Sequence, residues 1–325
     1  MNFVFGPVPS RRLGKSLGID PVPLKTCNWN CVYCQLGRTR PLTNTRRGYN
    51  PRDDILAEVQ RALDAHQPGE IDWITFVGSG EPTLYSGLGW LVRQVKSKSD
   101  LPVAVITNGA LLGLPDVRYE LSAADAVLPS LDAGNSRLYR KINRPWPRLT
   151  FETHVQGLAA FRQGYTGQLW VEVMLVNGLN DTEEALQEIA LALRSINPDQ
   201  VHLLLPERPP AENWVQPAGQ GGLRRAHAIL SEVAYVLQPV MGQVATQNTE
   251  NLKPAILGVI TRHPMSADEL CAALGRWSLG EIQQTLESLR ASARAQVIVR
   301  HGKPFWSASG AIYTPADAVV RERMR

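Results

Sequence analysis

Three cysteines lie close together near the amino-terminal end of the chain. Cys27, Cys31 and Cys34 follow a C-x3-C-x2-C spacing. Three thiolates can bind three irons of a cubane cluster and leave the fourth iron open to a ligand. A structural zinc site normally has four ligands, so its fourth would have to be Cys271 or one of six scattered histidines. A disulfide would leave one thiol over, and the sequence has no secretory apolar segment. The spacing favours a [4Fe–4S] cluster, with zinc as the alternative.

Three further polar motifs follow short apolar runs that are typical of buried strands. They are Gly78-Ser79-Gly80-Glu81-Pro82, Thr107-Asn108-Gly109 and Ser130-Leu131-Asp132. Glycines allow backbone groups to approach a ligand closely. Because the carboxyl ends of parallel strands collect at one rim, the three motifs are expected to meet there.

Together with the cysteine loop, these motifs resemble the radical S-adenosylmethionine (radical SAM) superfamily. Gly78 to Pro82 matches its Gly-Gly-Glu-Pro motif, with Ser79 in place of a glycine. The resemblance implies that Cys27, Cys31 and Cys34 hold a [4Fe–4S] cluster whose open iron chelates S-adenosylmethionine. It also implies reductive cleavage to a 5′-deoxyadenosyl radical, which abstracts hydrogen from a substrate. A low-potential electron donor such as flavodoxin or ferredoxin would then be needed.

The same resemblance assigns roles at the rim. Tyr33 matches an aromatic position that contacts adenine, although it could instead be a packing residue. Glu81 could face the ligand or cap a helix, and Asp132 could bind the cofactor or serve as a helix N-cap. We expect the cofactor to be bound by Tyr33, Gly78, Ser79, Gly80, Glu81, Asn108, Ser130, Asp132 and Leu205.

The elements that must position these residues alternate between strand and helix. Strands are predicted at residues 16–22, 71–77, 102–107, 126–131, 169–176 and 200–205. One helix is predicted to begin at Asn50-Pro51 with Asn50 as N-cap, and another at 182–195 with Asn180 or Asp181 as cap. Six strands each followed by a helix predict an α/β fold with a parallel sheet, a partial (βα)6 barrel.

Two further segments indicate which branch of the superfamily the chain resembles. Residues 6–20 and 203–212 are similar to a branch of uncharacterised radical SAM proteins related to the wyosine-forming tRNA enzymes. Those enzymes have cysteines for a second cluster and a lysine that forms a Schiff base. This chain has only Cys271 outside the triplet, and none of its lysines can be matched to that role. The wyosine reaction itself is therefore not expected.

Charge is unevenly distributed. Residues 1–52 carry nine Lys and Arg and only Asp20 as an acid, whereas the whole chain has a net charge of +4. This segment could attract an anionic substrate such as RNA or a nucleotide, and Arg11, Arg12 and Lys15 could bind a phosphate or carboxylate. Acids from later elements could equally neutralise it.

A different pattern begins after residue 240. Helices are predicted at 255–261, 266–274 and 278–289, followed by a hairpin over 296–306, which is typical of a winged helix. Ser266 with Glu269 and Ser278 with Glu281 form capping-box patterns. We predict a barrel domain over 1–240, a linker over 241–252 and a winged-helix-like domain over 253–325. That domain could bind nucleic acid, peptide or only the barrel.

Composition excludes several classes of protein. No apolar run approaches the roughly 20 residues that span a bilayer, and four cysteines fit a reducing cytoplasm, so we expect a cytoplasmic protein without membrane contact. The leading hypothesis is a radical SAM enzyme acting on RNA or a nucleotide. The alternatives are a peptide-modifying or small-metabolite-modifying radical SAM enzyme and an iron–sulfur redox sensor that binds nucleic acid. A sensor would not need the rim motifs.

Overall fold

One eight-stranded sheet organises most of the chain in the computed structural model, which describes residues 3–10, 12–237 and 251–314. Its strands are β1 Val4–Ser10, β2 Gly14–Ile19, β3 Trp73–Phe76, β4 Val103–Thr107, β5 Ala126–Pro129, β6 Gln168–Met174, β7 Gln200–Leu204 and β8 Tyr235–Leu237. They pair in sequence order, and within the described ranges β8 does not pair back with β1. The sheet is therefore an open, partial barrel.

All neighbouring strands from β2 to β8 are parallel, and only β1 is antiparallel. The six predicted strands correspond to β2 to β7, which confirms the α/β parallel fold. Strands β1 and β8 were not predicted. Pro7 and Pro9 interrupt the strand pattern of β1, which is tolerated because β1 is an edge strand. Strand β8 has only three residues.

Helices connect the parallel strands. They are α1 Arg52–Asp64, α2 Leu88–Lys98, α3 Pro115–Leu121, α4 Ser136–Ile142, α5 Phe151–Gly164, α6 Glu183–Ile196 and α7 Gln220–Leu230, with a 3-10 turn at Pro82–Leu84. Two predicted caps are wrong. Pro51, not Asn50, occupies the N-cap of α1, while the Asn50 amide donates to the Pro21 carbonyl at 2.9 Å. Helix α6 is capped by Thr182, because Asn180 is used to bind the Asp132 and Met174 carbonyls.

The two faces of the sheet bury different residues. Leu17, Ile74, Val105 and Val171 belong to the main apolar core, which includes residues of the surrounding helices. The second, smaller cluster includes alternate residues of these strands, Trp73, Ala104 and Trp170, together with Leu128 of β5 and Leu13, which precedes β2. This second face also buries polar side chains, among them Ser16, Thr75 and His202, so it is only partly apolar. No helix within the described ranges is long and apolar enough to cross a bilayer.

The described carboxyl-terminal region consists of three helices and a hairpin, in the predicted order. These are α8 Leu252–Ile260, α9 Ala267–Leu274, α10 Leu279–Ala291, β9 Ala295–Arg300 and β10 Lys303–Ala308. Both capping boxes are present, at Ser266 and at Ser278. The region has its own buried cluster, around Ile256, Leu270 and Leu286. Its identity as a winged helix and the domain division stay predictions, and most of the predicted linker, 241–252, lies outside the described residues.

This carboxyl-terminal region contacts the rim of the sheet. Arg262 forms an ion pair with Asp20 at 3.2 Å, just after β2, and Arg208 pairs with Glu269 at 2.5 Å, after β7. The Tyr313 hydroxyl donates to the Gln35 carbonyl at 2.6 Å, one residue after the last cluster cysteine. The carboxyl-terminal region thus touches the first parallel strand, the cysteine loop and the seventh strand.

Candidate cofactor site

The cysteine loop is held in place by backbone pairing with the segment that follows α4. The amide of Asn30 donates to the Asn143 carbonyl at 3.1 Å, and that of Val32 to the Ile142 carbonyl at 2.9 Å. Trp29 is buried against the stacked rings of Tyr139 and His154, with ring centroids 5.4 and 5.3 Å away. A loop without regular structure is therefore fixed by its neighbours.

Each cysteine sulfur lies near a side-chain nitrogen. The pairs are Lys25 Nζ with Cys34 Sγ at 3.1 Å, Asn108 Nδ2 with Cys27 Sγ at 3.8 Å and Asn143 Nδ2 with Cys31 Sγ at 3.9 Å. The Trp29 amide adds a second donor to Cys27, at 3.4 Å. Donors of this kind stabilise thiolates and help to set the potential of an iron–sulfur cluster.

The three thiols fit a cluster better than a single ion. All are free, and no group of three or more Cys, His, Asp or Glu residues in the described ranges could hold one metal ion. A cluster instead needs each thiolate on a different iron. Burial raises the pKa of Cys27 to about 12, so a bare thiol there would stay protonated, and iron would supply the charge that deprotonates it.

The glycines of the Gly-Ser-Gly-Glu motif are required by close packing against residues 20–26. A Cβ atom on Gly78 would lie 2.0 Å from Asp20 Oδ1, and one on Gly80 would lie 2.1 Å from the Thr26 carbonyl oxygen. The Ser79 hydroxyl donates to Asp20 at 2.7 Å, and its carbonyl accepts from the Lys25 amide at 2.7 Å. Ser79 therefore uses these polar groups to join the motif to the start of the cysteine loop.

Glu81 is buried and lies between the ends of β3 and β4. Its carboxylate accepts from Thr107 Oγ1 at 2.5 Å, from the Asn108 amide at 2.7 Å and from the Thr83 amide at 3.0 Å. Burial raises the pKa of Glu81, and these donors oppose the increase. The contact with Thr83 caps the 3-10 turn, as one of the two interpretations expected. The contact with Asn108 holds that side chain beside Cys27.

Asp132 and Tyr33 contact each other inside the site. The Tyr33 hydroxyl donates to Asp132 Oδ2 at 2.5 Å, the Asn143 amide to the same oxygen at 2.6 Å, and the Met174 backbone amide to Oδ1 at 2.8 Å. Burial raises the pKa of Asp132. The alternative that Asp132 is a helix N-cap is wrong, because Asn135 caps α4. Asp132 instead ties the cysteine loop to the ends of β5 and β6.

Ser130 and Leu205 follow β5 and β7 at the same rim, and both are half-buried. The Ser130 carbonyl lies 3.0 Å from His154 Nε2. Burial lowers the pKa of His154 to about 4, so its ring is neutral and can donate this hydrogen bond. Ser130 therefore has a fixed backbone, while its side chain remains suited to a ligand.

The structure brings the cysteine loop and the rim motifs together. Asn108 reaches Cys27 from the end of β4, and Asp132 reaches Tyr33 from the end of β5. The sequence did not reveal Lys25 or Asn143 as cluster neighbours. The position of Lys25 two residues before Cys27 was an available signal. Asn143 is distant in sequence from the cysteines and could be found only from the fold.

Acids from later elements neutralise part of the basic amino-terminal segment. Arg12 pairs with Glu172, and Arg38 and Arg46 pair with Glu212 and Glu120 at 2.6 and 2.5 Å. Lys15 donates to the Gly69 carbonyl at 3.0 Å. Arg11 lies outside the described residues. The alternative expectation of internal neutralisation therefore accounts for part of this charge.

Comparison with known proteins agrees with this geometry. The radical SAM superfamily model matches residues 22–192. The UPF0026 protein MJ1312 of Methanocaldococcus jannaschii is 35% identical over 280 residues, covering 85% of this chain and 87% of that protein. A Brachyspira hyodysenteriae protein named GTPase Obg is 45% identical over 205 residues, but these are 63% of this chain and only 30% of that protein.

More distant similarities concern methyltransferases. A Streptococcus agalactiae protein assigned as a dual-specificity RNA methyltransferase, RlmN, is 25% identical over 197 residues, covering 58% of this chain and 52% of that protein. The crystal structure of a radical SAM methyltransferase from Sphaerobacter thermophilus has a TM-score of 0.54 at 19% identity and covers 69% of this chain and 65% of that one. At this identity the likeness shows the fold.

The resemblance suggested by the motifs is thus confirmed. Radical SAM enzymes use a [4Fe–4S] cluster and S-adenosylmethionine, and the cysteine loop and rim described above fit both. The chain belongs to the radical SAM superfamily and, within it, is related to the UPF0026 proteins.

Proposed function

We propose that this enzyme cleaves S-adenosylmethionine reductively and abstracts hydrogen from an RNA or nucleotide substrate. The proposed cleavage of S-adenosylmethionine rests on one observation: the cysteine loop meets the ends of β4 and β5 through Asn108 and Tyr33. A redox sensor would need the cysteines but not this rim, so the sensor hypothesis is disfavoured. The distant similarity to an RNA methyltransferase supports the substrate class.

The residues have distinct parts in this proposal. Cys27, Cys31 and Cys34 would hold the cluster, which together with S-adenosylmethionine supplies the reductive cleavage of a carbon–sulfur bond. The side chain of Ser130 and the backbone at Gly78 and Gly80 would bind the cofactor. Leu205 would supply apolar contact.

Glu81, Asp132 and Ser79 would act as positioning residues, because their polar side-chain atoms already bind protein groups. The sequence analysis expected these three residues to contact the cofactor directly. In this proposal they act on it through the protein groups that they bind. Tyr33 would present its ring to the adenine while its hydroxyl binds Asp132.

The cofactor part can be tested with Ser130→Ala, using Ser97→Ala on the exposed face of α2 as the matched control. Losing one hydrogen bond of about 1 kcal/mol should raise the Kd for S-adenosylmethionine roughly fivefold and leave the iron content unchanged. Calorimetry measures the Kd, and iron analysis measures the iron content. Reduced protein should also form 5′-deoxyadenosine. Formation of methylthioadenosine alone would contradict the proposal.

The substrate part can be tested by titrating the full chain with tRNA at several salt concentrations. If phosphates of a single-stranded region are neutralised, log affinity should fall with log salt at a slope of about −0.7 per contact. Absence of binding at low salt would exclude RNA and leave a peptide or a small metabolite as the substrate, with the cofactor chemistry unaffected.

A further inference from the structure

A basic surface lies beside the cysteine loop, around helix α4 and the segment that follows it. Residues 136–151 contain five Arg and Lys and no acid. We call the exposed cations of this region the α4 surface; they are Arg137, Arg140, Lys141 and Arg148. The charge of Glu152, at the start of α5, acts on Arg140 and offsets part of the total. The α4 surface nevertheless remains strongly positive.

A cleft of about 280 Å³ opens on this surface and is lined by Asn30, Leu42, Arg140, Arg144, Trp146 and Leu149, among others. Arg144 is paired with Glu212 at 2.5 Å, so Arg140 supplies the exposed charge of the cleft. Trp146 and Leu42 are half-buried and give it apolar walls. Exposed cations around a small apolar centre are typical of a transient protein interface.

The cleft is directly connected to the cluster ligands. Asn30 lies in the loop between Cys27 and Cys31, and its amide bonds to the carbonyls of Asn143 and Arg144 at 3.1 and 3.2 Å. The Trp146 amide donates to the Asn28 carbonyl at 2.7 Å. A partner bound at the cleft would therefore be separated from the cluster only by the loop that holds it.

We propose that the α4 surface is the docking site of an acidic, low-potential electron-donor protein of the flavodoxin type. The lining of the cleft contains none of the rim motif residues at 78–82, 107–109 and 130–132, nor Leu205, so the cleft lies apart from the positions proposed to bind S-adenosylmethionine. Electron transfer needs proximity but no contact between reacting atoms. An RNA would also match the charge, but its reacting carbon would have to reach the rim.

The electron balance of the docked pair is simple. The anionic reduced flavin of the donor loses one electron, the cluster gains it, and no bond forms or breaks. Because the donor is acidic, encounter should be steered by the α4 surface, an effect typically worth tenfold to a thousandfold in rate at low ionic strength.

The test uses the full chain with Arg140→Glu/Lys141→Glu, and Arg61→Glu/Lys98→Glu on the exposed faces of α1 and α2 as the matched control. Stopped-flow absorbance follows cluster reduction by reduced flavodoxin and by uncharged photoreduced deazariboflavin. Calorimetry measures flavodoxin binding to cluster-free protein, which does not depend on enzyme activity. A second variant, Arg137→Glu/Arg148→Glu, changes other cations of the α4 surface, so the test does not depend on correct folding of the first variant.

The α4 variants should lower the flavodoxin rate constant at least tenfold at low salt, weaken flavodoxin binding similarly, and leave the deazariboflavin rate and the control unchanged. A change below twofold in the flavodoxin rate would overturn the proposal, as would equal losses with both reductants. Loss of tRNA affinity with an unchanged flavodoxin rate would identify an RNA surface instead. None of these results depends on the substrate of the enzyme.

Discussion

Lys25 places a positive charge beside one of the expected cluster ligands. Its Nζ donates to Cys34 Sγ at 3.1 Å and to the Gly37 carbonyl at 2.7 Å. Burial opposes the charged form, but the nearby cysteines outweigh it and raise the pKa of Lys25. A cation held against a thiolate favours the reduced, more negative cluster, so Lys25 should ease its reduction.

Lys25→Met should therefore lower the midpoint potential of the cluster by an amount on the order of 60 mV, a tenfold change in a one-electron equilibrium. Redox titration followed by electron paramagnetic resonance measures the shift. Lys15→Met is the control, because the Lys15 side chain donates to the Gly69 carbonyl rather than to a cysteine. An unchanged potential in Lys25→Met would show that its charge is compensated elsewhere.

His154 makes stability depend on pH. Burial lowers the pKa of His154 to about 4, from 6.5. The unfolded chain therefore binds a proton that the folded protein does not, and the stability present above pH 6.5 is lost as the pH falls towards 4. His202 is also buried, and burial lowers its pKa to about 4 as well.

His154→Gln should remove this dependence at one site. Between pH 7.5 and pH 5.5 the wild-type protein should lose about 1.4 kcal/mol more of its free energy of unfolding than the variant. Urea unfolding of cluster-free protein at the two pH values measures the difference. His202→Gln should show a change of the same sign, and parallel pH profiles for wild type and both variants would be inconsistent with neutral buried rings.

At the scale of elements, the loop after β3 packs directly against the loop after β2. Gly80→Ala would place a Cβ atom 2.1 Å from the Thr26 carbonyl oxygen, and backbone cannot yield as a flexible side chain can. We expect a cost of about 2 kcal/mol or more in unfolding free energy, together with weaker S-adenosylmethionine binding. Gly48→Ala, where a Cβ meets nothing within 4 Å and φ is not positive, is the control and should be nearly neutral. Equal effects would argue against tight loop packing.

The sequence predicted β2 to β7 because their apolar runs are long and buried, and it predicted the rim because motifs follow strands in a parallel sheet. Local sequence patterns could not show whether a polar side chain would cap a helix or form a hydrogen bond with a residue distant in sequence. Asn50 and Asn180 look like helix caps, but tertiary contacts with Pro21 and Asp132 bind them instead. Glu81 caps the 3-10 turn as one interpretation expected, but its bonds from Thr107 and Asn108 at the end of β4 could not be seen in the local pattern.

At the scale of the whole molecule, Arg262 connects the carboxyl-terminal region to the cofactor motif. Its guanidinium lies 3.2 Å from Asp20 and 4.4 Å from the centre of the Phe5 ring. Asp20 in turn accepts hydrogen bonds from the amide and hydroxyl of Ser79 at 3.1 and 2.7 Å. Two distant parts of the chain thus share one buried carboxylate.

Arg262→Met should leave that carboxylate without its cation and cost about 3 to 5 kcal/mol in unfolding free energy. It should also weaken S-adenosylmethionine binding while the cluster iron is retained. Arg290→Met, which breaks an exposed pair with Glu287, should cost less than about 1 kcal/mol. The double variant Asp20→Asn/Arg262→Met should recover part of the loss. Urea unfolding measures the stability of each variant, and calorimetry measures its binding of S-adenosylmethionine. If Arg262→Met loses no more unfolding free energy than Arg290→Met, the carboxyl-terminal region is not coupled to the cofactor motif through this ion pair.

The contact of residue 312 with the cysteine loop bears on how long the enzyme survives in air. The Arg38 amide donates to the Ile312 carbonyl at 2.5 Å, and a Cβ atom on Gly37 would lie 2.3 Å from that oxygen. This segment therefore covers the loop just after Cys34, where Tyr313 also binds Gln35. A cluster with an open iron is vulnerable to dioxygen, and we expect this segment to slow the approach of dioxygen from that side. A protein shortened before this segment would retain its ligands yet be oxidised sooner.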